Sequence, residues 1–130
     1  MFTTLKQNGG AALAKILVTA SHGTDDPNRA TLAFLAAKAA KENGDEVNVF
    51  LMNDAVMLAK KGVAEHIQGV GLAPFPELLE VLQILEVPLL VCKPCAEARG
   101  ITKEDLVEGA SFAGMYDLTK LARESSVLSF

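Results

Sequence analysis

Apolar residues in this chain fall into two patterns. Short, nearly unbroken runs fit strands buried on both faces: "KILVTAS" (15–21), "EVNVFLM" (46–52) and "VPLLVC" (87–92). Longer stretches carry helical spacing. The Ala/Leu-rich segment after "HGTDDPNRA" predicts a helix from Pro27 to Asn43, capped by Asp26, with Pro27 at the first position and Gly44 in a left-handed C′ place. Asn53 or Asp54 is expected to cap a short helix running to Lys60 and ending at Gly62. In 75–86, Leu78, Leu79, Leu82 and Leu85 recur at helical spacing. Pro88 suits a strand start, where a missing N–H is tolerable. Beyond Cys92, Pro94 to Ala98 suits a short helix. Further on, Thr102 and Asp105 suggest a cap on a short helix "KEDLVEG" (103–109), "ASFA" (110–113) a small fourth strand, "MYDLTKLARES" (115–125) a helix, and "VLSF" (127–130) a fifth strand. The glycine-bearing stretch 63–74 reads as a loop.

Strands alternating with helices predict an α/β fold, a three-layer α/β/α sandwich around a five-stranded, mostly parallel sheet. Residues 1–14, with "NGGAA", read as a flexible lead-in, and 15–130 as a single domain. In such sheets, ligands and reactive groups collect beyond the carboxyl ends of the strands. Three loops leave those ends: "SHGTDDP", "MNDA" and "CKPCAEARG".

Charge and composition narrow the partners. The net charge is −4, and no Lys/Arg cluster offsets it locally, which argues against a nucleic-acid partner. With no Trp and one Tyr, the core must be largely aliphatic. The longest apolar runs are strand-sized, too short to span a membrane, and the first residues lack the basic start and apolar run of a signal peptide. Two cysteines do not make a secreted disulfide framework, so a cytoplasmic location is expected.

Both cysteines, Cys92 and Cys95, lie in "VCKPCAEARG" (91–100). A thiolate at Cys92 would end a strand and face the N–H groups of a following helix, with Lys93 and Arg99 nearby. Each of these lowers a thiol pKa. Against this stands the common fate of free cysteine, burial as a small hydrophobe. A thioredoxin-type site follows the first or second strand, whereas this pair follows the third. Zinc needs four ligands, and the remaining soft ones are His22 and His66, so no metal site is expected. His22 shares its loop with Ser21, Asp25 and Asp26 and, with Asn53 and Asp54, is a candidate ligand-binding residue; a solvated loop histidine is the plainer alternative. Asp54 has its capping role, and Asp25 and Asp26 serve the helix start. "GVGLAP" lacks the third glycine of a dinucleotide fingerprint, and there is no phosphate loop, so no cofactor is expected.

With these residues in place, the sequence resembles the DsrE/DsrF-like family of sulfur-relay proteins, which includes the TusD type, and most closely its YchN-like members. The likeness runs from about Lys15 to Phe130 and rests on "FLMNDAV" (50–56), "VPLLVCKPCAEARGI" (87–101) and the closing "SVLSF". The resemblance implies assembly into homotrimers or homohexamers and exchange with sulfur donor and acceptor proteins. It also implies that Cys92 is the nucleophile carrying sulfur as a persulfide, as in a sulfurtransferase. Arg99 is then a candidate anion stabiliser. Relay members of the TusD type tend to carry a small apolar residue where Cys95 stands, whereas the YchN-like group has a second cysteine there, so Cys95 is a departure from the former and a candidate resolving thiol. Two alternatives stay open: a non-enzymatic oligomer that binds a small ligand or regulates a partner, and a Cys92/Cys95 dithiol redox protein.

Overall fold

The computed structural model describes residues 14–130; all of the expected lead-in except Ala14 lies outside the described residues. Strand β1 spans Lys15–Ala20 and pairs with β2, Glu46–Leu51. Strand β3 (Leu89–Cys92) lies on the far side of β2, followed by β4 (Ala110–Ala113). Strand β5 (Ser126–Ser129) returns to flank β1, so the sheet order is β4-β3-β2-β1-β5, and every pairing is parallel.

This order decides which face each helix covers. From β1 to β4 the chain steps across the sheet in one direction, and right-handed crossovers put the intervening helices on one face. These are α1 (Pro27–Glu42), α2 (Phe75–Ile84) and the short α3 (Lys93–Ala98). The step from β4 back to β5 runs the other way, so α4 (Met115–Glu124) covers the opposite face, where Asp117, Lys120 and Leu121 border a groove with Asn48 and Leu90. The three-layer α/β/α sandwich is thus present.

Burial follows the composition. Alanines 30, 33, 37 and 40 of α1 are buried, and their small side chains let the helix lie close to the strands. Phe34 of α1 and Phe75 at the head of α2 meet with ring centroids 4.5 Å apart, anchoring the two helices to each other. Val18, Val49, Phe50, Leu51 and Val91 fill the sheet's centre. By contrast, α4 has no buried residue, and Met115 and Tyr116 are exposed.

The α1 signals act as read: Asp26 accepts the backbone N–H of Arg29, Pro27 begins the helix, and Gly44 has φ +95°. Two predicted helices differ. Residues 53–59 form a 3₁₀ helix with Met52 at the cap position and no side-chain cap. Neither Asn53 nor Asp54 caps it, because both side chains are engaged elsewhere. In 103–109 only Lys103–Asp105 makes a helical turn, closed by a capping box in which the Asp105 carboxylate takes the Thr102 N–H and hydroxyl. The chain then turns extended: Leu106 bridges Lys60, and the Val107 N–H donates to the Ala59 carbonyl at 2.8 Å. Those cross-chain bonds win over continued helix. The 63–74 stretch is irregular apart from a 3₁₀ turn at Ala64–His66.

Candidate functional site

Adjacent strands β3 and β4 send their carboxyl ends to opposite faces of the sheet, β3 into α3 and β4 through Gly114 into α4. That is the topological switch point, where open α/β sheets form a crevice. Cys92 is the last residue of β3 and pairs in register with Ala113, the last of β4, so the first cysteine stands at the switch point itself.

Cys92 is 3% exposed, while Cys95, three residues on in α3, is half-buried; both are free thiols. Burial pushes the Cys92 thiol up from its ordinary value, and the neighbouring Cys95 thiol adds to the rise. The Cys95 backbone amide and the Arg99 charge pull the other way without cancelling it. The expectation of a lowered Cys92 pKa is therefore reversed in the chain alone. Helix α3 has only six residues, and desolvation outweighs what its amides offer.

The second thiol is held by the loop after β2. The backbone N–H of Asn53 donates to Cys95 Sγ at 3.3 Å. Asn53 can aim that N–H because its φ is +52°, a left-handed conformation that asparagine tolerates better than most residues. Arg99, just past the end of α3, locks the arrangement. Its Nη2 and Nε donate to Asp54 Oδ1 at 2.8 and 3.2 Å, Nη2 also reaches Asn53 Oδ1 at 3.2 Å, and Nη1 donates to the Cys95 carbonyl at 3.0 Å. One guanidinium thus ties the cysteine helix to the "MNDA" loop. Its donors go to oxygens rather than to sulfur, so Arg99 acts on the thiols through charge and by holding the loop.

Of the remaining candidates, His22 bonds within its own turn, Nδ1 lying 2.8 Å from Asp25 Oδ2. That hydrogen bond, followed by one from the Gly23 N–H, lowers the Asp25 pKa. The loop still touches the site, because buried Gly23 packs against the Asp54 backbone carbonyl so tightly that any Cβ would collide with it. His66 is exposed on its 3₁₀ turn. Lys93 is exposed as well. Among the described residues, no group of three or more His, Cys, Asp or Glu is placed to hold a metal ion. Sequence reasoning missed the Gly23 contact and the coupling of Arg99 to Asn53 and Asp54. The spacing gave one hint of the latter: a lone arginine and a lone aspartate, each in a strand-end loop, on strands that proved to be neighbours.

A parallel α/β sandwich with a cysteine at the β3 carboxyl end defines the class of protein, and comparison with known proteins fixes the family. Residues 14–130 match the DsrE/DsrF-like family, and the chain belongs to it. It is 38% identical over 117 residues to an uncharacterized protein of Methanocaldococcus jannaschii, covering 88% of this chain and 96% of that one. An uncharacterized protein of Methanopyrus kandleri is 36% identical over 116 residues, 88% of this chain and 92% of its own length. The crystal structure of YchN from Escherichia coli superposes with a TM-score of 0.72 at 25% identity, covering 90% of this chain and 98% of that one. The family is one generally related to sulfur relay. No helix among the described residues is long and apolar enough to cross a membrane.

Proposed function

We propose that the chain is a cytoplasmic sulfur-transfer protein that carries sulfur as a persulfide on Cys92. The observation that carries this reading is the placement of a free thiol at the switch point between β3 and β4, with a second thiol beside it. In the proposed cycle the Cys92 thiolate attacks the outer sulfur of a donor persulfide, the donor leaves as a thiolate, and Cys92 keeps the sulfur as Cys–S–SH. An acceptor thiolate on a partner protein then attacks that outer sulfur and releases Cys92 as a thiolate. Burial disfavours the Cys92 thiolate at rest, so donor docking has to help ionise it. Near-complete burial also shields a persulfide from stray thiols once it has formed. The working unit in this reading is a homotrimer or homohexamer.

The test is to incubate the protein with a persulfide donor, remove the donor and weigh the protein. A gain of about 32 Da that disappears in Cys92→Ser is the expected result. No gain in either the native chain or Cys95→Ser, or a gain that survives Cys92→Ser, rejects the role of Cys92.

A second reading, a non-catalytic oligomer that binds a small ligand, is favoured by one feature. The groove between α4 and the sheet, about 330 Å³, is lined by Asn48, Leu90 and Ala113, the last being the register partner of Cys92. In that case cysteine substitutions leave the protein's cellular role intact, while Leu90→Arg abolishes it.

A further inference from the structure

The relay cycle has no use for a second thiol, yet one is built into the site. Cys92 holds the cap position of α3 and Cys95 follows three residues on, one turn into the same helix, with its sulfur held by the Asn53 N–H at 3.3 Å. The loop that supplies this N–H is itself fixed by three Arg99 hydrogen bonds, while a fourth holds the guanidinium on the Cys95 carbonyl of α3. Cys95 is also the outer of the two thiols, half-buried where Cys92 is 3% exposed. A persulfide on Cys92 therefore places its inner sulfur, Cys92 Sγ, at the bottom of the site with Cys95 Sγ as its nearest thiol.

We infer that the chain discharges its own persulfide as hydrogen sulfide, with Cys95 as the attacking thiol. This rests on Cys92 being the loaded residue. Cys95 gives its proton to solvent and its thiolate attacks Cys92 Sγ. The new bond is Cys95 Sγ–Cys92 Sγ, and the bond that breaks joins Cys92 Sγ to the outer sulfur. That sulfur leaves with the electron pair as hydrosulfide and takes up a proton. The sulfane sulfur is reduced to sulfide and the two cysteines are oxidised to a disulfide. An external dithiol then restores both thiols, itself becoming a disulfide. The net reaction consumes one sulfane sulfur and one dithiol and yields hydrogen sulfide. Because attacker and target sit in one fixed site, discharge gains the advantage of an intramolecular reaction over thiols in solution.

The experiment follows native protein, Cys95→Ser, Cys95→Ala and Cys92→Ser after brief exposure to glutathione persulfide and rapid desalting, with no thiol added afterwards. Intact mass and released sulfide are read over time. Native protein is expected to pass from a mass about 32 Da above the reduced chain to one about 2 Da below it, releasing one sulfide per chain. Both Cys95 variants are expected to hold the heavier mass and release sulfide at least about a hundredfold more slowly. If native protein and both Cys95 variants keep the added sulfur equally long, internal discharge is wrong while persulfide carriage stands. If none of the proteins gains the sulfur, or if Cys92→Ser gains it as native does, persulfide carriage on Cys92 fails and internal discharge falls with it.

Discussion

Arg99 gives two of its N–H groups to a single carboxylate oxygen of Asp54, at 2.8 and 3.2 Å, across a sequence separation of 45 residues. Both side chains are partly exposed, so the pair's own Coulomb energy is modest. Its importance lies in what it joins, the cysteine helix and the loop whose amide touches Cys95. Arg99→Ala is expected to cost about 1 kcal/mol of stability in urea unfolding. Alkylation of Cys95 should speed up at the same time, as the loop loosens. Arg99→Lys recovers only part of either effect, since an ammonium cannot serve three acceptors spread as a planar fork. Unchanged Cys95 reactivity in Arg99→Ala would separate the arginine from the thiol site.

The raised Cys92 pKa has a definite sign. In the folded chain Cys92 keeps its proton to a pH above the ordinary 9.0, so its contribution to stability is full below 9.0 and is lost as pH rises through the higher folded value. Iodoacetamide labelling of Cys92, read by peptide mass, should be slow at neutral pH and keep climbing past pH 9.0, levelling off only above it. Cys95→Ala removes one of the groups that raise the thiol, and the labelling profile should move to lower pH.

Gly23 is the point where the loop after β1 meets the loop after β2. Gly23→Ala forces a methyl against the Asp54 backbone carbonyl and is expected to cost about 1–3 kcal/mol, as overpacking does. Because the displaced backbone is next to Asn53, the variant should also label faster at Cys95. Loss of stability with native labelling would place the strain elsewhere than in the Asn53–Asp54 turn.

Asp25 is held below its usual value of 3.8, chiefly by the His22 ring and then by the Gly23 amide. A lowered carboxyl stabilises the fold above its unfolded pKa, and that contribution fades as pH falls through the folded value. Carbon NMR titration should find Asp25 below 3.8 in the native chain, moving back toward it in His22→Ala.

Much of the fold can be read from the residues because the signals are local. Asp26, Pro27 and Gly44 mark the ends of α1 through contacts within a turn, and apolar runs of strand length mark β1, β2 and β3. The position of Cys92 at a strand end is legible for the same reason. What escaped depends on strand order. Only once β4 is known to lie beside β3, with α4 on the other face, does Cys92 become a switch-point residue. Asp54 illustrates the cost: its sequence position suits a helix cap, but its partner Arg99 arrives from the neighbouring strand's loop. The 103–109 segment fails as a helix for a related reason, because Leu106 and Val107 find backbone partners at Lys60 and Ala59.

Strand β5 bears on how the molecule comes together in time. Its tie to β1 includes the Thr19–Ser129 hydroxyl bond, made across 110 residues, whereas the β1–β2 pairing spans only α1 and the β2–β3 pairing only the 3₁₀ turns and α2. The longest loop closure carries the largest entropic cost and is rewarded last, and β5 itself is exposed throughout. The β2, β3 and Arg99 region can form before that closure, leaving one edge of β1 open in the interim. Amide exchange in the native chain should therefore be fastest along β5 and slowest in β2, with the thiol site inside the part that assembles first.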